Sequence, residues 1–272
     1  MLKLSHAGVC PTHRVAVVDH LGESREVVIA GERPMTIKID DQELVTLMTI
    51  GSHPEELTLG YVRNQGIIET IEEISSVTVD WEKETADVQT VSGNGLRGLE
   101  KKLSKRVVTS GCGQGTLFSC SLDKLYAQKL GTYDLKQSTL YALLDSIKGQ
   151  NLIYKQAGSV HGCALCQGSD VLLFIEDVGR HNAADAISGR MWIEGTTGSD
   201  KILYTTGRLT SEIVMKAAYM RIPFVVSRSG VTHMGLDVAQ DLGISLIARA
   251  KGSRFLAFTG SDNIIFDGGT VR

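Results

Sequence analysis

Three short stretches of this chain share one chemistry: Glu176-Asp177-Val178-Gly179-Arg180-His181-Asn182, Thr205-Thr206-Gly207-Arg208-Leu209-Thr210-Ser211 and Ser227-Arg228-Ser229-Gly230-Val231-Thr232-His233. Each follows an apolar run, pairs a glycine with an arginine and opens a helical pattern. Glycine lets a backbone come close to a ligand. A helix N-terminus offers free N–H groups and a partial positive charge. A guanidinium matches phosphate oxygens with a planar fork of donors. Arg180, His181, Arg208 and Arg228 therefore read as corners of one polyphosphate pocket. The same residues allow a second reading, in which the arginines pair with Glu176, Asp177 and Glu212 as scaffolding.

The other candidate is a thiol. Cys112 sits in Thr109-Ser110-Gly111-Cys112-Gly113-Gln114-Gly115. Such an uncluttered loop suits a sulfur that must visit a donor and then an acceptor. Lys101, Lys102, Lys105 and Arg106 lie close by in sequence and would favour the reactive thiolate, although a run of this kind is also what a solvated face looks like. Cys163-Ala164-Leu165-Cys166, two residues after His161, has the spacing of a redox dithiol or of half a zinc site. No second pair of this spacing accompanies it, and its apolar setting favours packed thiols, so no metal site is expected. Cys10 and Cys120 read as packing cysteines. The chain carries no Walker loop and no Gly-x-Ser-x-Gly elbow.

The elements that must position these groups fall into two parts. Over the first hundred residues, Arg14–Asp19, Val27–Ala30, Met35–Ile39 and Leu44–Ile50 are short and rich in Val, Ile and Thr, as strands are. A helix is expected over Pro54–Gln65, with Ser52 and Glu55 as a capping box and Gly66 as its stop. Val77–Trp81 and Asp87–Val91 read as a hairpin. Beyond Val107, helices are expected over Leu122–Leu130 and Thr139–Lys148. Strands then alternate with helices: Val171–Ile175, His181–Trp192, Lys201–Thr205, Ser211–Met220, Pro223–Ser227 and His233–Leu242, closed by Ser245–Ala248 and Phe255–Phe258. That alternation predicts a largely parallel sheet with helices on its faces, whose strands deliver the three junctions to one edge.

The bulk composition narrows the function classes. With 272 residues, of which 42% are hydrophobic and 22% charged, the chain can build a sizeable core, and a net charge of -3 gives no global basic field for nucleic acid. There is no apolar run of membrane-spanning length and no secretory signal pattern at the N-terminus. Five cysteines, an odd number, point to thiol chemistry or packing rather than a disulfide framework.

Glu176-Asp177-Val178-Gly179-Arg180-His181-Asn182-Ala183 resembles the hallmark of the FdhD/NarQ family, the formate dehydrogenase accessory sulfurtransferases. The likeness continues through Thr206-Gly207-Arg208, Ser211-Glu212-Ile213-Val214-Met215-Lys216-Ala217, Ile222-Pro223 and Ser227-Arg228-Ser229. It reaches back to Gly111-Cys112-Gly113, Glu32-Arg33-Pro34, Met48-Thr49, Glu55-Glu56-Leu57 and Gly60, and so spans nearly the whole chain in order.

The resemblance implies an α/β protein with a cytidine deaminase-like three-layer α/β/α core, residues 106–272, and a smaller, mainly β N-terminal subdomain, residues 1–105. It implies a cytoplasmic homodimer that takes sulfur from a cysteine desulfurase as a persulfide. It then passes that sulfur to the bis(molybdopterin guanine dinucleotide) of a molybdenum-dependent formate dehydrogenase. The persulfide falls on Cys112. The guanine nucleotide-containing pterin, a bound substrate, falls on Arg249-Ala250-Lys251-Gly252-Ser253-Arg254. Some members carry a second cysteine in the active loop; Gly115 stands there in this chain, Gln65 replaces a Glu, and Val231-Thr232 a Pro-Thr. Two alternatives remain. A zinc deaminase would need a His/Cys-x-Glu element that His161-Gly162-Cys163 lacks. A non-catalytic cofactor-binding chaperone would keep the arginine corners without needing Cys112.

Overall fold

The computed structural model describes residues 2–94, 107–108, 115–116, 130–131 and 133–268. In chain order its elements are β1 (Lys3–Leu4), β2 (Thr12–Val18), β3 (Ser24–Ala30), β4 (Arg33–Ile39), β5 (Gln42–Thr49), α1 (Pro54–Asn64), β6 (Ile74–Asp80), β7 (Thr85–Thr90), β8 (Val107–Val108), β9 (Gly115–Thr116) and β10 (Leu135–Lys136). They continue with α2 (Gln137–Ile147), α3 (Leu152–Ala157), β11 (His161–Gln167), β12 (Asp170–Asp177), α4 (Arg180–Glu194), β13 (Ile202–Thr205), α5 (Ser211–Tyr219), β14 (Phe224–Ser227), α6 (His233–Leu242), β15 (Ser245–Lys251), β16 (Arg254–Ala257) and β17 (Ile264–Ile265). The helix expected over Leu122–Leu130 and the division at residues 105/106 lie outside the described residues.

The main sheet has six strands in the order β12-β11-β13-β14-β15-β16. Only the neighbouring pairs β13–β14 and β14–β15 are parallel; β11 is antiparallel to both its neighbours, and β16 to β15. The largely parallel sheet expected from the alternation is therefore a mixed one. The reason is β11, which the sequence reading passed over as an apolar lead-in to the next strand. Gly168-Ser169 joins β11 to β12 in two residues, and Gly168 has φ +56°. Two-residue turns of that conformation make hairpins, not crossovers.

Both faces of the sheet are covered. On one, Cys163, Leu165, Leu203, Val225 and Leu246 pack with Ala183 and Ile187 of α4, Val214 of α5 and Ala239 of α6. On the other, Ala164, Cys166, Tyr204, Phe224 and Val226 pack with Leu140, Leu143, Leu144 and Ile147 of α2. The result is a three-layer α/β/α arrangement. Fully burying one such Leu, Ile or Phe side chain contributes roughly 1.5–3 kcal/mol.

The N-terminal residues form a five-stranded sheet, β1-β6-β7-β4-β5. Its Met35, Ile37, Val77 and Val88 join the same apolar cluster as α1 and α4. α1 starts with Pro54 in its first turn followed by Glu55 and Glu56, carries Arg63 in its last turn, and is stopped by Gly66 at φ +62°. The expected capping box does not form. His53 is the N-cap and gives no side-chain bond, and Glu55 accepts instead from Ser5 Oγ at 2.6 Å and Ala7 N at 2.7 Å.

α1 and α4 cross backbone to backbone. A methyl on Gly60 would stand 1.7 Å from the Asp185 carbonyl oxygen, and one on Gly189 would stand 1.9 Å from that of Glu56. Neither carbonyl can swing aside as a side chain could. Gly60→Ala is expected to cost about 2–3 kcal/mol, since the overpacking strain exceeds the roughly 1 kcal/mol gained in helix propensity. An unchanged urea midpoint for that variant would show that the helices do not cross at this distance.

Candidate functional site

The strand directions bring six ends to one rim of the main sheet. They are the end of β12 at Glu176-Asp177, the start of β11 at His161, the ends of β13 and β14, and the turn between β15 and β16. The ladder registers fix this: His161 pairs with Asp177, Cys163 with Thr205, and Thr205 with Ser227. The three glycine–arginine junctions interlock along the rim. A methyl on Gly207 would lie 2.3 Å from Arg180 Cδ, so the second junction rests on the arginine stem of the first. Ser227 Oγ donates to Gly207 O at 2.6 Å, and Leu209 N to Gly230 O at 2.9 Å, tying the third junction to the second. Arg249 N donates to Ser229 O at 2.8 Å, which attaches the Arg249–Arg254 stretch to the third.

That stretch is itself a hairpin tip, with Lys251 paired to Arg254 across Gly252-Ser253 and Gly252 at φ +60°. Arg249, Lys251, Ser253 and Arg254 are exposed, whereas Ala250 is turned into the core. Arg249 has φ +51°, a left-handed conformation at the bulge where the ladder shifts register.

Sequence reasoning did not single out His161, which the ladder places at the rim opposite Asp177. The charges of Arg180, Arg228 and Arg208, and the neighbouring His181, all reach the His161 imidazole. Burial first, and these cations after it, hold His161 below the ordinary histidine range, so it stays neutral at neutral pH. Its Nδ1 stands 3.4 Å from Thr206 Oγ1. The signal for it was present in Gly168-Ser169: reading that pair as a hairpin turn makes 161–167 a strand beginning at the rim.

Two of the carboxylates offered as arginine partners, Glu176 and Asp177, are held by other groups. Glu176 accepts the backbone N–H of Ile153 at 2.8 Å and of Tyr154 at 2.9 Å. Asp177 accepts from Thr49 Oγ1 at 2.6 Å and Asn182 Nδ2 at 2.9 Å, and Asn182 also donates to Met48 O. Burial pushes its carboxyl up and these donors pull it back. Glu212 stands 3.7 Å from Lys216 Nζ and 3.2 Å from His181 Nδ1, the latter outside hydrogen-bond alignment. Burial depresses His181, with Glu212 opposing.

Arg208 and Arg228 are exposed, and Arg180 is buried. α4 and α5 begin without a side-chain cap, and the Thr210 hydroxyl at the head of α5 is buried with no hydrogen-bond partner among the described residues. Only α6 is capped, by Thr232 accepting from Gly235 N. Two uncapped helix starts, three arginines and a basic hairpin form an anion-receptive rim.

The cysteines separate by side of the sheet. Cys163 and Cys166 are fully buried and face opposite layers, so they can neither join in a disulfide nor share a zinc ion. Desolvation pushes both thiols up to about 12. They are packed thiols. Among the described residues no group of three or more His, Cys, Asp or Glu side chains is arranged to hold a metal. Cys10 is exposed, which corrects its reading as a packing residue: it lies on the lead-in to the β2–β3 ribbon, outside both core clusters. Cys112, Cys120 and the run Lys101, Lys102, Lys105, Arg106 lie outside the described residues. In sequence Cys112 falls between β8 and β9, which pair antiparallel. No helix among the described residues is long and apolar enough to cross a membrane.

Comparison with known proteins covers the rim and most of the chain. The model of the FdhD/NarQ family matches residues 30–265. A sulfur carrier protein FdhD of Listeria monocytogenes is 30% identical over 243 residues, covering 88% of this chain and 92% of that protein. The one of Bacillus subtilis is 30% identical over 234 residues, covering 86% and 88%. A solved chain from Desulfotalea psychrophila, described as a formate dehydrogenase accessory protein, superposes with a TM-score of 0.73 at 25% identity, covering 93% of this chain and 98% of that one.

Proposed function

This chain belongs to the FdhD/NarQ family, and from that premise we propose that it is a sulfur carrier whose thiol is Cys112 and whose acceptor is the bis(molybdopterin guanine dinucleotide) of a molybdenum-dependent formate dehydrogenase. In the loading step the Cys112 thiolate attacks the outer sulfur of a cysteine desulfurase persulfide. A new S–S bond forms on Cys112, the desulfurase S–S bond breaks, and the desulfurase cysteine leaves as a thiolate; no net oxidation occurs. The carrier works in the cytoplasm as a homodimer.

The single observation that carries the acceptor side is the interlocking of the three glycine–arginine junctions and the Arg249–Arg254 hairpin along one rim, with Gly207 against the Arg180 stem, Leu209 N donating to Gly230 O and Arg249 N to Ser229 O. Guanidinium groups gathered on one rim suit the diphosphates of the pterin dinucleotide. Arg249, Lys251 and Arg254 on the adjoining hairpin extend that rim.

Two measurements test the proposal. Incubated with a cysteine desulfurase and cysteine, the intact protein should gain about 32 Da per sulfur atom; no gain in mass would remove the carrier role. In calorimetry, Arg208→Ala and Arg228→Ala should each weaken guanosine diphosphate by about 1.5–3 kcal/mol, roughly ten- to a hundredfold, and the loss should shrink as salt rises. Both side chains are exposed, so the melting temperature should barely move. Normal binding with a collapsed melting temperature in both variants would make these arginines scaffold.

A further inference from the structure

The short helix α3 carries a half-exposed aromatic ring. Tyr154 is 46% exposed and belongs to neither apolar cluster. The Arg228 guanidinium lies over its ring, 5.6 Å from the centroid. The helix is nevertheless held firmly in place. The Glu176 carboxylate, 6% exposed, takes the N–H groups of Ile153 and Tyr154 at 2.8 and 2.9 Å. Glu176 is paired in the ladder with Gly162, the residue after His161. The Tyr154 backbone is thus fastened to the rim beside His161, while its ring is about half exposed.

A buried carboxylate spent on two backbone amides fixes position. An exposed ring layered with an exposed guanidinium presents a flat, cationic, partly apolar surface. Phenol rings and guanidinium planes both stack on planar heterocycles, and stacking tolerates different ring systems because each has a π-face.

We propose that Tyr154 and Arg228 together form the stacking layer for the planar nitrogen heterocycle of the ligand, guanine or pterin. Arg180, Arg208, the donating edge of the Arg228 guanidinium and the Arg249–Arg254 hairpin take its phosphates. This rests on the reading of the rim as a diphosphate site and adds the part that recognises the ring. Tyr154 is then a specificity-determining residue: it separates a heterocycle-bearing diphosphate from diphosphate alone.

The test uses the full chain with guanosine diphosphate and inorganic pyrophosphate as probes. Tyr154→Leu should lose about tenfold in guanosine diphosphate affinity. Its pyrophosphate affinity should stay within about twofold, because the ionic contacts are intact. Tyr154→Trp should bind guanosine diphosphate as the parent does and show indole quenching by it but not by pyrophosphate. Neopterin displacing guanosine diphosphate from the parent would extend the layer to the pterin; its failure to do so would assign the layer to guanine. Equal guanosine diphosphate affinity in Tyr154→Leu and parent, or equal losses for both probes, would overturn the stacking layer while leaving the phosphate site standing. A parent that binds neither probe would overturn the phosphate site and the layer with it.

Discussion

A Cys112→Ala chain should gain no mass from a cysteine desulfurase, whereas Cys10→Ala, Cys163→Ala and Cys166→Ala should each gain the same sulfur as the parent. The expected difference is between full loading and none, because sulfur is accepted by a thiolate and by no other group in the chain. Cys163 and Cys166 are excluded on two grounds. Their thiols are completely buried, and burial pushes them up to about 12, which disfavours the thiolate at neutral pH. Cys163 Sγ is also engaged, 3.3 Å from Thr205 Oγ1 and 3.4 Å from Arg180 O.

Cys10 is the meaningful control, since it is exposed. Its sulfur lies 3.4 Å from the Thr12 carbonyl oxygen and lacks glycines on both sides. Cys112 has Gly111 and Gly113. Loading that survives Cys112→Ala and disappears in Cys10→Ala would transfer the role to the lead-in of the β2–β3 ribbon. Activation of a formate dehydrogenase by the Cys112→Ala chain would instead favour the non-catalytic chaperone.

Lys216→Met is expected to destabilise the protein by about 3–5 kcal/mol, since it strips the cation from a buried ion pair and leaves the carboxylate behind. Lys216 Nζ stands 2.6 and 2.7 Å from the two oxygens of Asp185, with side chains 3% and 2% exposed. Asp185 also accepts from Asn64 Nδ2 at 2.7 Å, and Ser188 Oγ donates to Asn64 Oδ1 at 2.9 Å, so the pair joins α1, α4 and α5. Burial pushes the Asp185 carboxyl up from its ordinary value, and Lys216 is the first group opposing that shift.

Combining Lys216→Met with Asp185→Asn should restore most of the loss, because a neutral amide needs no counter-charge and its oxygen can still accept from Asn64. Urea denaturation of the parent, the single variant and the double variant measures this. A single variant within about 1 kcal/mol of the parent would place the pair among weakly contributing ion pairs, and failure of the second substitution to recover stability would locate the damage in packing instead.

Local pattern alone determined a good part of this protein. Apolar runs and their stop signals placed α1, α4, α5, α6, β13, β14 and β15 within a few residues of their observed bounds. The recurring glycine–arginine junctions pointed to the rim because a strand followed by a helix must turn at the strand's carboxyl end, and parallel neighbours turn on the same side. Family membership was legible too, since the motifs are contiguous in the chain. None of that needs knowledge of a distant partner.

The tertiary structure decided whatever depends on which strand lies beside which. The insertion of β11 between β12 and β13 made the sheet mixed, split Cys163 from Cys166 across its two faces, and carried His161 to the rim. It also assigned Glu176 to the amides of α3 rather than to an arginine, and joined Lys216 to Asp185, 31 residues away. Periodicity reports which face of an element is apolar, and turn residues report where the chain reverses. The strength of a charge interaction depends on distance and burial, and both are set only when the layers close.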